Sequence, residues 1–244
     1  MRQCSEQIRG GAKKPQPNRG GDCLRFSVPK WSLFGLPPVI STLIATIVGV
    51  QIAFFLLIFI NPLWGTTLYA TLVLDPRAVL QQGQVWRLLT YALVHDLSGP
   101  MHLLFNAISL AVLGPALEDM WGTKGLLRFT FATVLGGGVS VCLAYMLGLT
   151  HASVVGASAA AMGMLTAFGI VFPKHQFLLW GLVAVTGRQL IGIAVAIELL
   201  YVLLPTNIST AAHVGGMITA AMIITKPWRN WRARLVSLLQ RNQS

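Results

Sequence analysis

Charged residues are scarce in this chain of 244 residues, and acidic ones are the scarcest. Only 10% of the residues are charged, with seven Asp and Glu against 18 Lys and Arg, whereas 55% are hydrophobic. A soluble domain usually carries about 25% charged residues. The mean hydropathy is +0.67. These values exclude an ordinary soluble domain and predict a polytopic membrane protein of one domain.

Cysteine is also scarce, since the chain has only Cys4, Cys23 and Cys142. Their number is odd, and their spacing matches neither a disulfide framework nor a set of metal ligands. We therefore expect no metal site and no cofactor.

Six apolar segments predict an all-α membrane protein with six transmembrane helices in residues 38–225. Residues 1–37 form a basic, largely disordered tail, and residues 226–244 form a second basic tail. The predicted spans are Val39–Ile60, Met101–Asp119, Leu126–Leu147, Val154–Phe172, Leu190–Leu204 and Thr210–Ile224.

Two connections are too apolar to be simple loops. Residues 61–100 mix apolar and charged residues, which favours a partly embedded, re-entrant loop with Trp86-Arg87 as an interfacial anchor. Residues 176–188 are too short for a further span before Arg188, and we interpret them as an interfacial strand or hairpin.

The positions of the basic residues predict the orientation. With both termini in the cytoplasm, all of the 18 Lys and Arg except Arg77 and Arg87 lie in the tails or in cytoplasmic connections. This distribution satisfies the positive-inside rule. The net charge of +11 therefore indicates contact with a lipid bilayer and not with nucleic acid.

This orientation brings four polar residues to one depth. Ser158 lies near the start of span four and His213 near the start of span six, while His102 and Asn106 lie in the first turns of span two. All three spans begin at the outer side. At ~1.5 Å per residue, the four side chains lie within one or two turns of the outer surface.

These residue types predict a serine nucleophile. Ser158 would attack, and His213 would act as general base and then as general acid. Asn106 and His102, with the Ser158 N–H, would donate hydrogen bonds to an oxyanion. Glu198 lies near the middle of span five and, by this count, deeper than the site. The sequence therefore predicts a Ser–His dyad without an acidic partner.

Purely structural interpretations exist for the same residues. A serine among small residues usually serves helix packing or a weak interhelical hydrogen bond, and a His–Asn pair can stabilise a helix contact. A buried, neutral or hydrogen-bonded carboxyl is the simplest interpretation of Glu198. Glu118 is expected to bind the connection between spans two and three to nearby N–H groups. His95, His151 and His175 are expected in loops or at the interface.

Five short motifs occur along the chain. A Trp–Arg pair, an HxxxN pair, a Glu–Gly pair, a GxSG-like stretch and a histidine–glycine helix appear as Trp86-Arg87, as His102 and Asn106, as Glu118 and Gly122, as Gly156-Ala157-Ser158-Ala159, and as His213-Val214-Gly215-Gly216. In these residues and in their order, the chain resembles the rhomboid intramembrane serine proteases over about residues 39–225.

The resemblance implies a six-helix rhomboid bundle that cleaves transmembrane segments of single-span membrane proteins near their outer end. It implies a supporting role at the oxyanion for Gly156, lateral substrate access past span five, and water supplied through the outer loops. It also suggests a bacterial inner membrane. The substrate's identity and the oligomeric state do not follow from it.

Two residues depart from the family pattern. Ala159 replaces the second glycine of GxSG and could crowd the oxyanion side by one methyl group. Met162 stands where an aromatic residue often stacks on the histidine, and it packs less rigidly. Neither change removes a reacting group.

Two other classes of protein remain as alternatives. A proteolytically silent, client-binding relative would lack the serine or the histidine, and both are present. A small transporter using buried His and Glu would favour an internal repeat, and the sequence contains none that we detect.

Overall fold

The computed structural model describes residues 35–179, 183–203 and 210–226, which are mostly helical. The predictions for residues 1–34 and 227–244 lie outside the described residues. In the described ranges the helices are α1 (Pro38–Ile60), α2 (Pro62–Leu72), α3 (Pro76–Gln82), α4 (Arg87–Thr90), α5 (Met101–Met146), α6 (Ser158–Val171), α7 (Gly187–Leu203) and α8 (Thr210–Thr225).

Two helices of the described part, α1 and α5, are long and apolar enough to cross a membrane. α5 is bent at Gly122, whose φ of 66° and ψ of 171° are not helical. Its two arms therefore correspond to the predicted spans two and three. α6 and α8 are shorter apolar helices. The count of six spans stays a prediction.

Small residues allow α5, α6 and α8 to pack against one another. Gly216 of α8 lies so close to the main chain of Ala159 in α6 that a methyl group at Gly216 would collide with it. Close approach of helix backbones is what small residues permit in apolar bundles. This contact brings the start of α6 next to the start of α8.

The connection between α1 and α5 contains the short helices α2, α3 and α4. The structure corrects the expected role of Arg87, because its side chain is buried and not at an interface. The guanidinium donates to the carbonyls of Ala70 and Val73 and to Gln84 Oε1. Trp86 is half-exposed and donates its indole N–H to the carbonyl of Thr71 at 3.1 Å. Arg87 therefore fixes the fold of the connection.

The expected hairpin is present, since β1 (Gln176–Leu179) pairs antiparallel with β2 (Val183–Thr186). The predicted start of span four at Val154 is wrong as a helix start. Val154 forms an isolated bridge with Leu74, and the helix begins only at Ser158. The N–H groups of Val154, Gly156 and Ala157 donate to residues of the connection between α1 and α5 and not to a preceding helical turn.

Glu118 ties two helices together. Its carboxylate accepts hydrogen bonds from the N–H groups of Val39 at 3.0 Å and Ile40 at 3.2 Å, at the start of α1. These N–H groups have no partner within their own helix, because the first turn of a helix leaves its donors free. Glu118 therefore has the expected structural role of accepting backbone N–H groups. These N–H groups belong to α1, so that Glu118 fixes α1 and not the connection between spans two and three.

We expect Glu118→Ala to destabilise the fold. The substitution leaves two buried N–H groups without an acceptor, which costs about 1–3 kcal/mol of unfolding free energy. Thermal unfolding of the purified protein in detergent measures the loss. Asp119→Ala removes the neighbouring exposed carboxylate and serves as the control. Equal unfolding temperatures for the two variants would contradict this role of Glu118.

Candidate active site

Ser158 and His213 lie within hydrogen-bond distance of each other. Ser158 is the first residue of α6, and His213 lies in the first turn of α8. The distance from His213 Nε2 to Ser158 Oγ is 2.8 Å. A serine hydroxyl next to an imidazole nitrogen at this distance is the minimal arrangement of an activated nucleophile.

The structure corrects the expectation that no carboxylate reaches His213. Glu198 Oε1 of α7 lies 2.8 Å from His213 Nδ1, and Glu198 is buried. Glu198 lies about one and a half turns before α7 ends at Leu203, and His213 about one turn after α8 begins at Thr210. The two residues therefore lie at the same depth in the bundle. A depth counted from the middle of span five places Glu198 too far from the end of its helix.

Asn106 and His102 surround the chain just before the serine. A methyl group at Gly156 would lie 2.6 Å from His102 Cε1 and 3.4 Å from Asn106 Nδ2. The φ of Gly156 is +107°, which side chains rarely tolerate. Asn106 is buried, and its Nδ2 donates to the carbonyl of His102 at 3.0 Å. Because an amide nitrogen carries two hydrogens, Asn106 has a second N–H to donate.

The first connection holds the chain that leads into Ser158. Leu74 and Val154 exchange two backbone hydrogen bonds, of 3.0 and 2.9 Å. The Gly156 N–H donates to the carbonyl of Tyr91 at 2.8 Å, and the Ala157 N–H donates to His95 Nε2 at 3.3 Å. The N–H of Gly156 is thus engaged, so this glycine contributes space and backbone conformation.

His95 is a site residue that no sequence pattern predicted. It lies in a loop, as expected, but is fully buried, and its ring meets that of His102 edge to face at 5.3 Å. Burial, and secondarily the charge of His102, lower the pKa of His95 to about 4. His95 is therefore neutral near pH 7 and can accept the Ala157 N–H. A lone loop histidine gives no sequence signal for this role.

The methyl group of Ala159 lies in a helix interface. Ala159 is fully buried, and a methyl group added at Gly137 of α5 would come within 2.6 Å of Ala159 Cβ. The extra methyl therefore fits against a glycine of the neighbouring helix.

In the described residues, no group of three or more His, Cys, Asp or Glu side chains is arranged to hold a metal ion. The site residues themselves carry hydroxyl, imidazole, carboxylate and amide groups.

Two helices that are long and apolar enough to cross a membrane, and a serine in contact with a histidine, are features expected of an integral membrane protein with a nucleophilic site. The sequence profile of the Rhomboid domain matches residues 82–229, which include every residue of this site. The chain belongs to the rhomboid family.

Individual relatives agree with this assignment. The chain is 31% identical to RHOMBOID-like protein 2 of Arabidopsis thaliana, over 71% of this chain and 54% of that protein. It is 30% identical to the rhomboid protease GluP of Bacillus subtilis, over 70% of this chain and 32% of GluP. It is 28% identical to the putative rhomboid protease YdcA of the same organism, over 72% and 85%. The chain thus spans about half or a third of the length of the first two relatives.

We expect His95 to make the protein less stable in acid. Between pH 6.5 and about 4, the unfolded chain binds a proton at His95 that the folded protein does not bind. Stability contributed by this residue therefore falls as the pH falls through that window. His95→Gln keeps an acceptor without titrating, so its unfolding temperature should depend less on pH than that of the wild type.

Thermal unfolding in detergent from pH 7 to pH 4.5 checks this. His151→Gln, which removes an exposed histidine, should follow the wild-type curve. Parallel curves for the wild type and His95→Gln would contradict the role of His95.

Proposed function

We propose that this protein is an intramembrane serine endopeptidase. The observation that carries the proposal is the 2.8 Å distance between His213 Nε2 and Ser158 Oγ. Membership of a family that contains named proteases supports it. Ser158 is the nucleophile, and His213 is the general base and acid.

The reaction proceeds through an acyl-enzyme. Ser158 Oγ attacks the carbonyl carbon of the scissile peptide bond while its proton passes to His213 Nε2. The tetrahedral intermediate collapses, the C–N bond breaks, and His213 donates the proton to the leaving amine. Water then attacks the ester with His213 again as the base, which releases the acid and restores Ser158.

Donors beside Ser158 stabilise the oxyanion. The N–H groups in the first turn of α6 are free of helical partners, and Ser158 begins that helix. Asn106 Nδ2 and the His102 ring lie against Gly156, two positions before the nucleophile. Both side chains can therefore donate to the same small volume.

The substrates we propose are transmembrane segments of single-span membrane proteins, cut near their outer end. The protein would have six spans with both termini in the cytoplasm, consistent with the distribution of basic residues. A bacterial inner membrane is the proposed location. The site lies where α7 ends and α6 and α8 begin, so that water from the outer side reaches it.

Cleavage of a generic transmembrane substrate in liposomes tests the proposal. The wild type should cut the substrate. In Ser158→Ala and in His213→Ala, kcat should fall by at least about 10³-fold, because either change removes a reacting group. This order of magnitude is the one known for catalytic triads. Ser153→Ala changes an exposed serine of the preceding loop and should retain wild-type activity. Equal cleavage by all four proteins would contradict the assignment of Ser158 and His213.

Asn106→Ala tests the oxyanion role. Loss of one preorganised donor is expected to lower kcat by about 10²–10³-fold with little change in KM. Steady-state cleavage kinetics give both constants. Ser109→Ala, at a half-buried position on the same helix, is the matched control. An unchanged kcat for Asn106→Ala would show that this amide does not stabilise the transition state.

A further inference from the structure

Glu198 is the buried acidic residue that the proposed dyad leaves without a role. Its side chain is 6% exposed, and that of His213 is 15% exposed. Its Oε1 contacts His213 Nδ1 at 2.8 Å, while its Oε2 has no hydrogen-bond partner in the described part of the chain. A carboxyl group placed in an apolar bundle is costly unless it is paired.

The histidine lies between the serine and the glutamate. Its two ring nitrogens each contact one of them at 2.8 Å. Glu198 in its ionised form can only accept, and in that arrangement His213 Nδ1 carries the hydrogen and donates it to Glu198. Nε2 is then unprotonated and free to accept from Ser158 Oγ–H. This tautomer is the one that a general base requires.

We propose that Glu198 is a positioning residue that completes a Ser158–His213–Glu198 triad. The inference rests on the proposed protease function. Glu198 fixes the ring orientation and the Nδ1–H tautomer of His213, and its negative charge stabilises the imidazolium that forms when Ser158 attacks. Glu198 takes up no proton in this scheme, since the proton from Ser158 stays on Nε2 until it passes to the leaving amine.

The contact with Glu198 fixes the imidazole ring of His213. The hydrogen bond between His213 Nδ1 and Glu198 Oε1, at 2.8 Å, sets the orientation of the ring. Glu198 lies on α7 and His213 on α8, so the same bond joins two helices at the site.

The kinetic test compares Glu198→Gln with the wild type. Glutamine has nearly the same size but no charge, and its amide group can donate to Nδ1 and stabilise the wrong tautomer. We expect kcat to fall between about 10-fold and 10⁴-fold, the upper figure being known for loss of the acid in a serine protease triad. KM should stay within twofold, because Glu198 contacts the histidine and not the substrate.

Glu118→Gln is the matched control, since it changes another buried glutamate of the bundle that lies at α1 and not at the site. Its kcat per folded protein should equal that of the wild type. If Glu198 were only structural, both variants would lower the unfolding temperature and leave kcat unchanged. That result would overturn the role of Glu198. If Ser158→Ala were inactive in the same assay, the proposed protease function would still hold. Equal activity of the wild type and Ser158→Ala would instead overturn the protease function.

A second measurement does not depend on a variant's activity. ¹⁵N NMR of histidine-labelled protein reports which ring nitrogen carries the hydrogen, and the His213 signals are those absent from His213→Ala. We expect Nδ1 to be protonated and Nε2 unprotonated in the resting wild type at pH 8. A resting His213 protonated at Nε2 alone would overturn the role of Glu198, even if Glu198→Gln failed to fold.

Discussion

The close contact between α6 and α8 is the constraint on which the site depends. Gly216 lies against the main chain of Ala159, and a methyl group there would push the two helices apart. A serine and a histidine at the starts of these helices then meet at 2.8 Å. Because a hydrogen bond weakens steeply with distance, a shift of about 1 Å between the helices would break it. Small residues in this bundle therefore determine chemistry as well as packing.

The connection before α5 has an equally direct effect on the serine. Arg87 fixes this connection through backbone carbonyls, and Tyr91 and His95 in turn accept the N–H groups of Gly156 and Ala157. The chain consequently reaches Ser158 through a turn with a positive φ at Gly156. In the proposed reaction, the free N–H groups at the start of α6 would stabilise the charge that develops beside Ser158.

The sequence allowed some of this to be predicted. Hydropathy and small-residue runs predicted that Ser158 and His213 lie near the starts of two apolar helices, and the length of the segment 176–188 predicted the hairpin. Hydropathy could not locate the true start of α6, because the bridge between Val154 and Leu74 depends on tertiary contact. Glu198 was placed too deep because depth was counted from the middle of a span and not from its end. His95 accepts a hydrogen bond from the backbone N–H of Ala157. Since any residue except proline has such an N–H, no sequence motif marks this contact.

The central proposal for this molecule is that His213 activates Ser158 within the bundle. Mass spectrometry of the protein after treatment with a fluorophosphonate tests this most directly, since only an activated serine reacts readily with the reagent. We predict one adduct, on the peptide that contains Ser158, and its loss in His213→Ala. An unlabelled Ser158 in folded wild-type protein, or equal labelling in His213→Ala, would contradict the claim.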